Sequence, residues 1–420
     1  MRRVLLLSAS TGYQLRSFHE SAARLGVELV FATDRCHHLD DPWQDRAIAI
    51  RFYDERHSLE AISAEAARRP FDGVLAVGDR PAVLAARAAR MLGLPGNDPD
   101  AAAASGNKRE ARRRFGAYGL WVPWHFAIPL SDRIRSSVYY PNVSFPCVLK
   151  PLGLSGSRGV IRANSPEEFD RAIERIRALL ARVDVRAVRS VAGDTILVEG
   201  FIPGREFAVE GVLTGGTLHV CAVFDKPDPL DGPFFEETIY VTPPELDAAT
   251  HAALVATVQQ ATSALGLSHG PIHAECRVGP DGIFVLEVAA RPIGGLCSRA
   301  LRFEPDASLE EILLRHALGE DITGWRRESR ASAVMMVPIP KRGLFKRVDG
   351  EEAARSVPHV EDVRITAKHD QLLEPLPEAG SYLGFIFARA ETPVDAEAAV
   401  RRAHAQLEFK IDPAINVATG

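Results

Sequence analysis

The feature that most constrains how this chain folds is a pair of short apolar segments separated by the turn sequence Gly-Pro-Asp-Gly at residues 279–282. The first segment carries Glu275, and the second carries Glu287 twelve residues further on. Such a turn between two strands is typical of a β-hairpin, which would bring both carboxylates to one place. The alternative is a surface hairpin whose two glutamates are solvated.

Paired carboxylates at the end of a hairpin suit a hard divalent cation. Mg²⁺ takes oxygen ligands and is commonly shared between carboxylates and the phosphates of a substrate. Arg291, four residues after Glu287, would add positive charge where a phosphoryl group transfers. We therefore expect Glu275 and Glu287 to bind a metal, with Mg²⁺ as the first candidate and Mn²⁺ as the second.

The composition excludes several classes of protein. Of 420 residues, 46% are hydrophobic and 25% are charged, which is ordinary for a globular chain of two to four domains. The formal net charge of −5 argues against nonspecific nucleic-acid binding. No apolar run approaches the roughly 20 residues that span a bilayer, so no membrane partner is expected. Five irregularly spaced cysteines without a CxxC pair favour a reducing, cytoplasmic location over a disulfide framework.

Strand and helix patterns alternate over residues 1–100. The hydrophobic pattern predicts strands at 4–8, 27–32 and 73–77, and helices at 12–25 and 81–92. This alternation indicates a parallel α/β layer. The alanine-rich residues 101–106 are interpreted as a linker of small residues, and a basic helix opened by Asn107-Lys108 follows.

The remainder of the chain has a mixed pattern. Strands are expected at 145–151 and 195–199, an antiparallel pair at 207–213 and 218–224, and helices at 166–180 and 246–265. From residue 333 the sequence changes to short strands and turns, with strands at 332–339 and 384–389 and a last helix at 395–407. We interpret this part as a separate C-terminal α+β domain.

Two other stretches suit a nucleotide. Lys150 ends a predicted strand, and a loop rich in glycine and serine follows at 153–160. The lysine can neutralise a phosphate, and backbone N–H groups of the loop can face phosphate oxygens, although the spacing is not that of a Walker loop. After another strand, Glu199 could accept from an adenine amino group, the Ile202 amide could face the ring, and Glu206 could hold the ribose. The alternatives are a surface turn, a flexible loop and solvated strand-end charges.

Taken in this order, the pieces resemble the ATP-grasp superfamily over almost the whole chain. The resemblance implies Arg291 and Lys150 as catalytic residues and Glu275 and Glu287 as magnesium ligands. It implies ATP binding by Lys108, Lys150, Ser155, Gly156, Ser157, Gly159, Val160, Glu199, Phe201, Ile202 and Glu206.

One departure from the superfamily pattern narrows the resemblance. Many members have asparagine two residues after the second magnesium glutamate, where this chain has Ala289. The resulting E-x-A-x-R form resembles the L-amino-acid ligase branch, which includes bacilysin-type dipeptide ligases and carnosine synthase-like enzymes. The stretch 333–389 also looks like the extra C-terminal domain of that branch. Loss of the asparagine removes one oxygen ligand, so the second metal would depend on carboxylates, phosphate and water.

The resemblance implies a multidomain fold of the α/β and α+β classes, the ATP-grasp fold. We expect a Rossmann-like pre-ATP-grasp α/β domain at 1–105, a linker helix and lid at 106–200, the core with the metal site at 201–328, and a C-terminal α+β domain at 329–420. The implied activity is an ATP-dependent carboxylate–amine ligase that forms an amide, of dipeptide type, through an acylphosphate and releases ADP and phosphate. Its partners would be small carboxylates and amines, with amino acids favoured.

The residues that would contact those substrates are less determined by the sequence. Glu236, in the loop 225–238, could pair with an ammonium group, although a solvated loop is the alternative. His273 is either a general base for the amine or a buried core histidine, and we favour the second. Backbone N–H groups of Gly294 and Gly295, before a helix-like run at 296–301, could hold a substrate carboxylate or the acylphosphate, with a plain helix start as the alternative.

Two other functions stay open. An ATP-grasp ligase of another class, purine-biosynthetic or carboxylating, needs a small or strongly basic pocket, and Arg299 and Arg302 leave room for one. A non-catalytic nucleotide sensor would lose the metal carboxylates, and both are present. Because dimers are common among soluble enzymes, a homodimer is the assembly that this prior favours.

Overall fold

The computed structural model describes residues 1–9, 14–34, 47–130, 136–187 and 193–414. The chain forms two compact units, the first made of 1–122, 207–223 and 246–329, and the second of 123–206, 224–245 and 330–420. Each unit contains its own hydrophobic packing. The domain boundaries expected at 105, 200 and 328 stay predictions.

In the first unit, strands and helices alternate around a four-stranded sheet. Its elements are β1 (Arg3–Ser8), α1 (Leu15–Leu25), β2 (Glu28–Thr33), β3 (Ile48–Ala49), α2 (Glu55–Arg68), β4 (Gly73–Val77) and α3 (Asp79–Leu92). The strand order is β3-β2-β1-β4, and all pairs are parallel. The four residues of β1 between Arg3 and Ser8 are apolar, and the strand is buried along its whole length, as expected for a central parallel strand. The predicted parallel α/β layer is confirmed.

The alanine-rich stretch after α3 is a helix, so our interpretation of residues 101–106 as a linker is wrong. α4 spans Pro99–Ser105, and α5 spans Lys108–Ala117. The Asp98 side chain accepts hydrogen bonds from the first backbone N–H groups of α4, and Pro99 occupies its first turn. Alanine has the highest helix propensity, so consecutive alanines behind a capped start favour helix over linker. Asn107 caps α5 in the same way, as predicted.

The second unit begins with an antiparallel sheet covered by a helix. Its elements are β5 (His125–Pro129), a 3₁₀ helix (Ser136–Asn142), β6 (Cys147–Pro151), β7 (Ile161–Ala163), α6 (Pro166–Leu180), α7 (Val183–Ala187) and β8 (Thr195–Gly200). The strand order is β5-β8-β6-β7. The apolar side of α6, with Phe169, Ile173 and Ile176, packs in the core of this sheet. The predicted helix at 166–180 is confirmed, with Ser165 as its N-cap.

The middle of the chain contains the long strands that carry Glu206, His273, Glu275 and Glu287. Its elements are β9 (Arg205–Thr214), β10 (Thr217–Lys226), β11 (Ile239–Thr242), α8 (Ala248–Leu265), β12 (Gly270–Gly279), β13 (Gly282–Ala289), a 3₁₀ helix (Cys297–Ala300), β14 (Arg302–Phe303), β15 (Ala307–Ser308) and α9 (Leu309–Ala317). In the first unit the strands follow the order β13-β12-β9-β10. Leu254 and Val258 of α8 lie in the hydrophobic core of that unit.

The C-terminal part of the second unit is a mixed α+β arrangement, as predicted. Its elements are β16 (Ala331–Val337), β17 (Gly343–Asp349), α10 (Glu351–Arg355), β18 (Val360–Ile365), β19 (Leu372–Leu373), β20 (Gly384–Ala390), α11 (Pro393–His404) and β21 (Glu408–Asp412). Strands β11-β16-β20-β18 are antiparallel neighbours, and β19-β17-β21 form a separate sheet. None of the helices in the described part of the chain combines the length and apolar character that crossing a bilayer requires.

Candidate active site

The two glutamates lie where the hairpin turn brings them. β12 and β13 are antiparallel, and Glu275 is the direct cross-strand partner of Glu287. Directly opposed residues of an antiparallel pair project from the same face of the sheet. Their side chains keep 22% and 27% of their surface exposed, so their oxygens remain accessible. The predicted convergence of the two carboxylates is confirmed, and their role as metal ligands stays a prediction.

The chemistry of these donors fits a hard cation. Lys108 Nζ lies 3.5 Å from a Glu287 oxygen, and His273 Nε2 lies 3.4 Å from a Glu275 oxygen. Each of the two carboxylates thus has a positively charged group beside it. Two accessible carboxylates on one face are a donor set that Mg²⁺ or Mn²⁺ completes with water and phosphate oxygens.

His273 is a buried residue of β12, two positions before Glu275, and it is held by a second carboxylate. Its Nδ1 contacts an oxygen of Glu210, which is itself only 1% exposed. Burial alone would lower the pKa of His273, but the charge and hydrogen bond of Glu210, helped by Glu275, raise that pKa to about 9. The imidazole is therefore a charged donor at neutral pH. A general-base role would first require loss of that proton, so the geometry favours our reading of a satisfied buried histidine.

The same Glu210 also contacts Ile293, the residue directly before the glycine pair. Its other oxygen accepts a hydrogen bond from the backbone N–H of Ile293 at 3.0 Å, and Gln14 donates to the Ile293 carbonyl. The helix-like run expected at 296–301 is only a four-residue 3₁₀ helix, Cys297–Ala300. A single 3₁₀ turn has few aligned N–H groups. The conformation of the loop with Gly294 and Gly295 is fixed instead by the buried Glu210 carboxylate, through its bond to Ile293.

Arg291 is held by a residue at the start of the helix that follows the parallel sheet strand β4. Its Nε donates to an oxygen of Asp79, the first residue of α3, at 2.7 Å. Burial opposes the charge of Arg291, but attraction to Asp79, Glu287 and Glu210 outweighs it, so the pKa of the guanidinium is raised. Arg291 therefore stays charged beside the β12–β13 hairpin.

In the second unit, Lys150 and Glu199 form an ion pair. They lie on neighbouring strands β6 and β8, and the Nζ–Oε1 distance is 2.6 Å. Glu199 is 1% exposed, so the pair is largely withdrawn from water. The two residues that we assigned to a phosphate and to adenine thus lie together.

The glycine–serine loop contains residues with left-handed backbone conformations. Gly156, Ser157 and Gly159 all have positive φ, at 63°, 55° and 74°. Turns that use such conformations can direct backbone N–H groups to one side of the chain, which is what an anion-binding loop requires. A side chain at Gly159 would come within 2.6 Å of Pro151 Cγ, so glycine is required there. The Val160 N–H donates to Ser157 O at 3.1 Å, so this amide is already engaged within the loop.

The segment expected to hold adenine and ribose lies against a buried lysine. Ile202 is 6% exposed, and Phe201 stacks on Phe235 with ring centroids 6.5 Å apart. Glu206 accepts a hydrogen bond from Lys226 at 2.8 Å.

The same lysine has a second carboxylate partner. Lys226 is 5% exposed and also bonds Glu237, whose other oxygen accepts from the hydroxyl of Tyr240. A buried lysine is retained because two carboxylates compensate its charge. Glu236 is partly buried, and burial raises the pKa of its carboxyl group.

Among the residues of these clusters that were not predicted are Asp79, Glu210 and Lys226. Glu210 had a signal, because it is a carboxylate within the apolar strand β9, on the same face as Glu206. Lys226 likewise ends an apolar strand. Asp79 had no comparable local signal, since its partner Arg291 is distant in sequence.

Comparison with known proteins places these features in a family. Residues 19–96 match the ATP-grasp N-terminal domain, 143–300 the ATP-grasp domain, and 335–412 the L-amino acid ligase C-terminal domain 2. The crystal structure of an L-amino acid ligase from Bacillus licheniformis superposes with a TM-score of 0.81 at 27% identity, covering 98% of this chain and 99% of that one.

Two further proteins are similar to this chain in sequence. The uncharacterized protein y4rH of Sinorhizobium fredii is 26% identical over 98% of this chain and 84% of its own length. A D-alanine–D-alanine ligase of Geobacter sulfurreducens is 30% identical over 53% of this chain and 65% of its own.

The chain belongs to the ATP-grasp superfamily and has its fold. It is an enzyme of the carboxylate–amine ligase type, and within the superfamily it resembles the L-amino-acid ligase branch, as the sequence predicted.

Proposed function

We propose that this enzyme joins a carboxylate to an amine at the expense of ATP, with amino acids as both substrates and a dipeptide-type amide as product. The observation that carries the proposal is the direct pairing of Glu275 with Glu287, four residues before Arg291. It is supported by the likeness of the whole chain to an L-amino acid ligase.

The first step is phosphoryl transfer. An oxygen of the substrate carboxylate attacks the γ-phosphorus of ATP, the bond from that phosphorus to the bridging oxygen breaks, and ADP leaves. Such transfer depends on positioning and charge stabilisation. Mg²⁺ or Mn²⁺, held by Glu275 and Glu287, would supply positive charge to the phosphate oxygens. Arg291, kept charged and oriented by Asp79, would stabilise the charge that develops in the transition state.

Residues of the second unit would bind the nucleotide. Lys150 is assigned to a phosphate, and the N–H groups of Ser155, Gly156 and Ser157 would face phosphate oxygens, which the positive φ values support. Gly159 and Val160 complete the loop. Lys108, which belongs to the first unit and lies near Glu287, is assigned as a second phosphate contact.

The base and ribose would lie on the segment after β8. Glu199 is assigned to the adenine amino group, and Phe201 and Ile202 to the ring. Glu206 is assigned to the ribose. The hydrogen bond from the buried Lys226 would orient the Glu206 carboxylate for that contact.

The second step forms the amide. The amine nitrogen attacks the acyl carbon of the acylphosphate, the bond from that carbon to the phosphate oxygen breaks, phosphate leaves, and the nitrogen loses a proton. Backbone N–H groups of Gly294 and Gly295 would hold an anionic group of the substrate, next to the charged His273. Glu236 is the candidate partner for a substrate ammonium, which would supply the countercharge that favours its ionised form.

The test is phosphate release from Mg-ATP with purified protein, screened against pairs of L-amino acids, with mass spectrometry of the products. We expect release that depends on a particular pair and a product of matching dipeptide mass. Release triggered instead by bicarbonate or a phosphoribosylamine would assign the enzyme to another ATP-grasp class. ATP binding without release under any condition would favour a nucleotide sensor.

A further inference from the structure

The glycine–serine loop rests on a segment from the far end of the chain, within the second unit. We call residues Glu374–Gly380 the C-terminal strap. The N–H of Gly159 donates to the carbonyl of Pro377 at 2.9 Å, and Arg158 Nε donates to the carbonyl of Glu378 at 2.7 Å. A side chain at Gly380 would come within 3.3 Å of Gly156 O, so the two backbones are closely apposed there.

Ion pairs attach the strap to the helices that follow the loop. The Glu378 carboxylate takes two hydrogen bonds from Arg175 of α6, at 2.6 and 2.9 Å. Arg182, after α6, pairs with Glu374 at 2.7 Å. A bidentate arginine–carboxylate pair fixes orientation as well as distance. The side chain of Glu378 therefore pairs with α6, and its backbone carbonyl accepts a hydrogen bond from the loop.

Arg158 is the part of the loop that the strap controls most directly. Besides the Glu378 carbonyl, its guanidinium reaches the carboxylate of Asp184 in α7 at 2.7 Å. The loop is thus held at Gly159 by a backbone bond and at Arg158 by two further bonds. Gly156 and Ser157, the two residues before Arg158, have left-handed conformations, and the latter is uncommon for a residue with a side chain.

We propose that the C-terminal strap positions the glycine–serine loop, with Glu378 as the positioning residue, and that it determines how well the acylphosphate is protected from water. This inference rests on the proposed function. In the unwanted reaction, a water oxygen attacks the acyl carbon, the carbon–oxygen bond to phosphate breaks, and the free carboxylate and phosphate leave. A loop that is correctly seated excludes that water.

The proposal concerns how tightly phosphate release is coupled to amide formation, so the measured quantity is the ratio of phosphate released to amide formed. The variant Glu378→Gln keeps the shape of the side chain and removes the charge that pairs with Arg175. The matched control is Glu351→Gln, which breaks the exposed Glu351–Arg355 pair of the same C-terminal region. The double variant Arg175→Glu with Glu378→Arg restores an ion pair in reverse.

We expect Glu378→Gln to raise the phosphate-to-amide ratio by at least about twofold, with the control unchanged and the charge-reversed pair returning toward wild type. Hydrogen exchange at residues 155–160 should rise in Glu378→Gln and not in the control. Unchanged exchange in the loop would overturn positioning by the strap, and a wild-type ratio would overturn its role in protecting the acylphosphate. An equal rise in both single variants would overturn the proposal as a whole.

Failure of the proposed function would give a different result, which is the absence of amide product with the wild-type protein. In that case the strap can still be tested by measuring hydrogen exchange of the loop in the presence of a non-hydrolysable ATP analogue. Increased exchange of the loop in Glu378→Gln supports positioning by the strap under either outcome, and unchanged exchange contradicts it.

Discussion

The guanidinium of Arg291 is held by Asp79, a residue 212 positions earlier in the chain, through a 2.7 Å hydrogen bond. Asp79 begins α3, shortly after strand β4 of the parallel sheet, while Arg291 follows β13 of the β12–β13 hairpin. The N-terminal α/β layer therefore contributes a residue to the candidate catalytic centre. A charged arginine in a buried place needs such a partner, because an unpaired buried charge is strongly destabilising.

Asp79→Asn should reduce turnover without abolishing nucleotide binding. The amide cannot supply the negative charge that orients Arg291, so we expect kcat to fall roughly 10- to 100-fold. The KM for ATP should change much less, because the nucleotide contacts assigned to the second unit are unaltered. Steady-state kinetics check this, with Asp100→Asn at the exposed first turn of α4 as the control. Equal losses in both variants would argue against a specific role for Asp79.

Removing one carboxylate of the hairpin should abolish metal-dependent chemistry while leaving the fold intact. Glu275 and Glu287 are both partly exposed, so Glu275→Gln and Glu287→Gln should change the melting temperature little. We expect phosphate release to fall on the order of 100-fold or more in each. Mn²⁺ binding, measured by electron paramagnetic resonance, should weaken in parallel. A variant that binds Mn²⁺ and turns over as wild type would remove that glutamate from the proposed metal site.

Glu210→Gln should change how stability depends on alkaline pH. The pKa of His273 is raised from 6.5 to about 9 in the folded protein, so its pairing stabilises the fold fully below pH 6.5, and this contribution is lost as the pH rises through about 9. The wild type should lose on the order of 3 kcal/mol of unfolding free energy over that window. Without the Glu210 charge, the variant should be less stable near pH 6.5 and show a flatter profile. Urea unfolding from pH 6 to 9.5 measures this, and parallel profiles would contradict it.

His316 should make the stability of the fold depend on pH in the opposite direction, with a loss of stability in acid. It is 3% exposed, its Nε2 contacts Thr214 Oγ1 at 2.9 Å, and burial together with His269 and His219 lowers its pKa to about 4. The neutral form is favoured in the fold, so stability is lost as the pH falls from 6.5 toward 4, by about 3 kcal/mol.

His316→Gln should flatten that acid limb, since glutamine has no proton to gain. The exposed His19→Gln is the matched control and should follow the wild-type curve. Unfolding by urea between pH 4.5 and 7.5 makes the comparison. An acid limb unchanged in His316→Gln would show that other groups cause the loss.

Much of the fold and part of the site could be predicted from local sequence. The pairing of Glu275 with Glu287 follows from strand alternation and a short turn, both of which act over a few residues. The helix at 166–180 and the parallel layer follow from periodicity in the same way. The helix at Pro99–Ser105 was also encoded locally, by Asp98, Pro99 and the alanines, and our interpretation overlooked those signals.

The contacts that shape the candidate site were decided by the tertiary structure. Asp79 reaches Arg291, Lys226 reaches Glu206, and the strap reaches Gly159 only because distant segments pack together. Residue type and local spacing set which strands and turns form, since backbone hydrogen bonding and side-chain periodicity are short-range. Which buried charge meets which partner depends on long-range packing, where each ion must find a countercharge as water is excluded.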